Sequence, residues 1–160
     1  MFCRPATGVF GAPGKKPVLY PGALFSAGDA HAAQGDGEVC INGIECPADV
    51  SLRFCVHRRQ PLSGPLLSGP LIESAESRSP DAPADAWIVV ESDTDAMQAA
   101  RSATLRMVEL LIARWSFAPV HAYLLCSVAM KLRISQVVNE PMITVSAGMP
   151  KCVLPARKMF

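Results

Sequence analysis

The sequence predicts an α+β fold, a partial β-sandwich segment followed by a small α+β domain, and three observations lead there. Short apolar stretches between Pro-Gly and Asn-Gly turn signals fill residues 17–56. A stretch rich in Pro, Ser and Gly interrupts them at 57–85. Residues 86–160 then carry a strand pattern, two helical periodicities and two further strand patterns. With 160 residues, 50% of them hydrophobic, the chain is long enough for one ordinary core or two small ones.

Taken in order, residues 1–16 mix Gly, Pro, Arg and Lys without periodicity and read as a disordered leader. Val18-Leu19-Tyr20 and Ala23-Leu24-Phe25, around the Pro21-Gly22 turn signal, read as short strands, and Val39-Cys40-Ile41 as a third. Asn42-Gly43 suits a hairpin turn, and residues 50–56 alternate in part as a strand does. In the linker Leu62-Ser63-Gly64-Pro65-Leu66 recurs at once as Leu67-Ser68-Gly69-Pro70-Leu71, too short a period for a solenoid unit. Trp87–Glu91 predicts a buried strand, and Ser92-Asp93-Thr94-Asp95 a capped helix start. Met97, Ala100, Thr104, Met107, Val108, Leu111 and Trp115 recur at helical steps and predict the face that packs on a sheet. Pro119 suits the first turn of a second helix running towards Met130, with His121 as a capping or surface residue. Leu132–Val138 and Met142–Val145 predict two closing strands.

Fifteen basic and 14 acidic residues leave a formal charge of +1, so neither a basic stripe for nucleic acid nor an acidic solvating tail is present. The apolar stretches fall short of the ~20 residues a membrane span requires, and the N-terminus lacks a continuous apolar signal core. A cytoplasmic location is therefore expected. The six cysteines form no Cys-x-x-Cys pair, so reduced thiols are the simplest account; Cys40, Cys55 and Cys126 stand among apolar residues and read as small core residues.

The densest chemistry lies in residues 28–38, where an imidazole, several carboxylates and a carboxamide are separated only by Gly and Ala. If this stretch is extended, Asp29 and His31 share one face, and Gln34, Asp36 and Glu38 share a face as well. Acids crowded together require a cation or strong donors, and His beside hard oxygen ligands suits zinc or a mixed zinc and calcium site. Asp36-Gly37 is equally a turn signal. The spacing is not that of an EF-hand, because Ala33 stands at the fifth position from Asp29.

Four stretches, Pro21–Ser26, Gly28–Glu38, Ala122–Val128 and Leu132–Asn139, make the chain resemble the acetamidase/formamidase family of metal-dependent amide hydrolases. The resemblance implies hydrolysis of formamide, acetamide or similar short amides to ammonia and a carboxylate. It implies a divalent metal, zinc and/or calcium, with Asp29, His31 and Asp36 as ligands. Glu38 is implied as general base, Gln34 as a substrate contact and Gln136 as a second substrate contact or a buried amide satisfying strand ends. Only the C-terminal part of the family pattern is covered, and Lys131 stands where an acidic residue is expected. The alternative expectation is thus an inactive fragment that associates with itself or with a complementing chain. Ser63, Ser68 and Ser127 have no nucleophile-elbow setting, whereas a Cys-based amidase would recruit Cys40 or Cys55 with His31 or His57.

Overall fold

The computed structural model describes residues 14–15, 21–22, 24–25, 28–51, 54, 70–74 and 85–156. Among the described residues, seven strands and two α-helices follow in the order β1 (Gly14–Lys15), β2 (His31–Ala33), β3 (Ile44–Glu45), β4 (Leu71–Glu73), β5 (Ala86–Asp93), α1 (Ala96–Trp115), α2 (Pro119–Ala129), β6 (Lys131–Gln136) and β7 (Ile143–Pro150). A five-stranded antiparallel sheet has the order β1-β4-β5-β7-β6, and β2 and β3 form a separate two-stranded sheet. The class is α+β, and neither sheet closes on itself.

β5 and β6 both run antiparallel to β7, which lies between them, so the two helices carry the chain from one side of β7 to the other. The reason is visible in side-chain alternation. Trp87 and Val89 of β5 and Val145, Ala147 and Met149 of β7 turn their side chains to one face, where they are buried with Ala99, Ala103, Met107, Leu110 and Leu111 of α1 and with Ala122 and Cys126 of α2. Ala99 and Ala103 let α1 approach the sheet closely. Asp95 starts α1 by accepting a 2.9 Å bond from the Gln98 N–H, and Ser116, in the left-handed region at φ 58°, ends it. Pro119 opens α2 at a position whose N–H needs no partner.

The second half thus follows its sequence pattern closely, with one shift. Met97 is 62% exposed, and the buried stripe instead includes Ala99, Ala103, Arg106 and Leu110. Arg106 is tolerated there because its guanidinium pairs with Glu91 and donates to the carbonyl of Val90 at 2.9 Å.

The first half differs more. Val39 and Cys40 form a turn and Ile41 a bend at φ 70°, so this segment is not a strand, and Cys40 is exposed rather than in the core. Leu24, Phe25, Val50 and Phe54 are not in strands either. The strands described between residues 17 and 56 are β2 and β3, which pair antiparallel as a small sheet of their own. Two stretches read as leader and linker instead contribute strands: β1 pairs with β4, and β4 with β5, because Leu71 turns into the main core while its backbone extends the sheet edge. The expected strand at Val18–Tyr20, the remainder of the leader and of residues 50–56, most of the tandem repeat, and Cys55 lie outside the described residues.

Candidate metal centre

Pairing of β2 with β3 sets His31 opposite Glu45, and the adjoining Cys46 N–H donates to the Ala30 carbonyl at 3.0 Å. The chain between these strands turns back on itself at Asp36-Gly37, with Glu38 N–H donating to the Gly35 carbonyl. Gly37, buried and at φ 86°, anchors this loop to the edge of the large sheet. Its N–H donates to the Ile134 carbonyl at 2.8 Å, and its carbonyl accepts from Val137 N–H at 3.0 Å. A side chain at Gly37 would be strained by that φ and would meet Val39 Cγ1 at 3.2 Å.

His31 is the hub. Its side chain is 11% exposed, and its Nδ1 lies 2.7 Å from Gln34 Oε1. The Gln34 carboxamide is oriented by its other end, where Nε2 donates to the Ser135 carbonyl at 3.5 Å. A carboxamide oxygen only accepts, so Nδ1 carries a proton. Nε2 faces two carboxylates, Asp29 Oδ1 at 3.3 Å and Glu45 Oε1 at 2.8 Å, yet is aligned with neither as a hydrogen-bond donor. A bare imidazole lone pair there would face negative oxygens, so the arrangement favours a proton or a metal ion on Nε2. The pKa of His31 is raised above its ordinary 6.5, chiefly by the Gln34 hydrogen bond, against an opposing desolvation, with further support from Glu45, Asp29 and Glu38.

Asp29, His31 and Glu45 can each present one ligand atom, and these atoms all lie within 4.8 Å of one another. One nitrogen and two carboxylates form a donor set suited to zinc, and three protein ligands leave room for water or substrate. Tetrahedral ligands at about 2.0–2.1 Å from zinc stand about 3.3 Å apart, close to the His31–Asp29 spacing. The surroundings are shaped for the ring: a Cβ on Gly43 would come within 2.8 Å of His31 Cγ and Nδ1 and 2.9 Å of the Ala33 carbonyl. Asp29, at φ 63°, and Glu38, at φ 45°, both occupy the left-handed region that non-glycine residues rarely enter, which places two strained backbone positions beside the hub.

The expected site residues are therefore partly assembled. Asp29, His31 and Gln34 come together, and Glu38 joins them with Oε1 3.8 Å from His31 Nδ1, on the opposite edge of the ring from Asp29 and Glu45. Asp36 does not belong to the ligand group; the turn at Asp36-Gly37 swings it to Arg133, where Oδ2 lies 3.1 Å from Nε. Gln136 is occupied by the β6–β7 turn, donating to the Met142 carbonyl and the Thr144 hydroxyl and accepting from the Val138 and Asn139 N–H groups. Its buried-amide role accounts for all its polar atoms. Glu45 was not anticipated, and the one sequence signal for it is its position just after Asn42-Gly43, where a returning strand would run beside His31.

The family model for the acetamidase/formamidase family matches residues 11–155. Among solved structures, the acetamidase of Bacillus halodurans is similar over 76% of this chain and 36% of its own, with 27% identity and a TM-score of 0.61. A predicted acetamidase/formamidase of the thermophile Thermoanaerobacter tengcongensis is similar in fold over 78% of this chain and 36% of its own, at 22% identity and a TM-score of 0.53. The chain thus spans about a third of the length of each. Comparison with curated proteins gives no match.

Proposed function

Because the chain belongs to the acetamidase/formamidase family, we propose that it hydrolyses the carbon–nitrogen bond of short linear amides such as formamide and acetamide to ammonia and a carboxylate. The observation that carries the reading is His31 Nε2 set between the carboxylates of Asp29 and Glu45 while Nδ1 is fixed on Gln34. Asp29, His31 and Glu45 would hold a zinc or calcium ion, which when bound polarises a carbonyl and makes water a better nucleophile at neutral pH. Gln34 holds the His31 tautomer that leaves Nε2 available. Glu38, outside the ligand triad, would act as the general base that takes a proton from water and returns it to the departing ammonia, which requires its side chain to swing from the Nδ1 edge of His31 to the Nε2 edge.

Glu38 faces Nδ1, so its other available duty is to steady the ring as a positioning residue. Glu38→Gln separates the two. As general base, Glu38 supports turnover, and the substitution lowers kcat by about 10²–10⁴-fold with metal content unchanged. If metal content falls in parallel with kcat, Glu38 positions His31 and the base assignment fails.

A cytoplasmic setting and a homo-oligomeric or partner-completed assembly belong to the same reading. Cys40, Cys46, Cys126 and Cys152 are free thiols, as suits a reducing compartment, and no described helix is long and apolar enough to cross a membrane. The alternative, a chain inactive by itself, is favoured by Asp36, which the Arg133 guanidinium holds outside the ligand group.

A further inference from the structure

On the sheet face opposite the helices, a hollow of about 210 Å³ opens beside β6 and β7. Strand register explains it. Lys131 stands opposite Gly148 and Arg133 opposite Ser146, so two long cationic side chains face small residues on the neighbouring strand. Ile88, opposite Gly148 on β5, supplies an apolar wall. The Ser135 hydroxyl donates to the Ser146 hydroxyl at 3.0 Å. Asp36 Oδ2 lies 3.1 Å from Arg133 Nε, and Lys131 has no ion-pair partner among the described residues. Two cations therefore share one carboxylate at this hollow.

We propose that the hollow binds a small monocarboxylate anion, held by the Arg133 guanidinium fork and the Lys131 ammonium. A single negative charge balances the group, whereas a doubly charged phosphate would add repulsion from Asp36. The planar guanidinium matches a carboxylate in two parallel hydrogen bonds, and a short alkyl tail suits Ile88 better than water. Gln34 lines the same hollow and also holds His31, so the bound anion sits one side chain away from the metal centre. A carboxylate is the product of the proposed amide hydrolysis, and the meaning of the hollow as a product subsite rests on that reading. The binding does not, and it is measured without metal or amide.

The test is an NMR titration of the full chain with sodium acetate, and separately with inorganic phosphate, at constant ionic strength and with chelator present. Saturable shifts are expected at the Arg133, Ser146 and Gly148 amides with acetate in the millimolar range, weakened about tenfold in Lys131→Gln. Lys131 is exposed, so that variant keeps the fold, which its amide dispersion reports. Absence of saturation with acetate, equal acetate affinity in Lys131→Gln, or tighter binding of phosphate than of acetate would each overturn the proposal. Acetate binding by a chain that hydrolyses no amide would leave the site standing and remove its product role. Hydrolysis without acetate binding would overturn the site and leave the hydrolysis reading standing.

Discussion

The two ring nitrogens of His31 do different work, and that division generates tests. Nδ1 is committed to Gln34, so Nε2 is the nitrogen available to a proton or to the proposed metal ion. In the metal-free chain the His31 ring is expected to titrate above 6.5 by NMR, and added zinc should abolish that titration. The sign for stability follows. Since the folded pKa is raised, the contribution of protonated His31 is fully present below 6.5 and is lost as pH rises through the folded value, so metal-free protein should lose urea resistance over that interval. A His31 that titrates at or below 6.5 would contradict the site geometry. Gly43→Ala tests the space around the ring: a methyl within 2.8 Å of the imidazole should lower zinc affinity about 10–100-fold, read by calorimetry, and unchanged affinity would show that the ring relocates freely. At this scale the sequence was legible where neighbours in the chain are neighbours in space. Asp29, His31, Gln34 and Glu38, close in the chain, also lie close in the structure. Glu45 and Gly43 come to His31 only through the β2–β3 pairing, which local spacing does not reveal, and Asp36 lies beside Arg133 because a tight turn replaces the alternation of an extended strand.

Helix α1 was legible in length and start because Asp95 caps it and its apolar periodicity is long, and its buried face was misjudged only near the N-terminal end, where small alanines rather than Met97 touch the sheet. Its packing carries much of the fold. Met107 is fully buried, and Met107→Ala should cost about 2–5 kcal/mol in urea unfolding, since the surrounding layers can collapse only in part. Arg106→Met should cost about 3–5 kcal/mol by leaving Glu91 without its guanidinium partner. Glu109, one turn along, has a buried Oε2 with no hydrogen-bond partner among the described residues, and burial pushes its carboxyl above the ordinary range, Arg106 opposing and Glu91 adding to the rise. A raised carboxyl pKa means that folding favours the protonated form. Stability is then greatest below the ordinary 4.5 and declines as pH rises through the folded value, so Glu109→Gln should raise urea resistance at neutral pH and have little effect in acid. A variant less stable at neutral pH would show that the carboxylate has a partner worth keeping. The first half of the chain was legible as chemistry and poorly legible as structure. Its apolar residues, Val39 and Ile41 among them, are exposed in turns and bends, so local β propensity there found no packing partner to enforce it.

Among the described residues, one helix-covered sheet forms the core, and the hairpin that carries the proposed metal centre hangs from its edge through Gly37. Val120, Tyr123, Leu124 and Val128 along α2 are each more than half exposed, a run of apolar surface that makes concentration-dependent association the expected behaviour in sedimentation velocity. A monomer at every concentration would contradict that expectation. The family and the α+β class were readable from motif stretches and from the strand, helix, helix, strand, strand order. The edge strands β1 and β4 were not, because short pairings that complete a sheet depend on where distant segments meet. The proposal at stake is that a metal ion held by His31, Asp29 and Glu45 serves amide hydrolysis. Its most direct test is ammonia release from formamide and acetamide by the full chain, with zinc or calcium and with chelator, beside Glu45→Gln. Release that chelator abolishes and Glu45→Gln loses is expected; release that survives both, or none from folded, metal-loaded protein, would overturn the proposed metal-dependent hydrolysis.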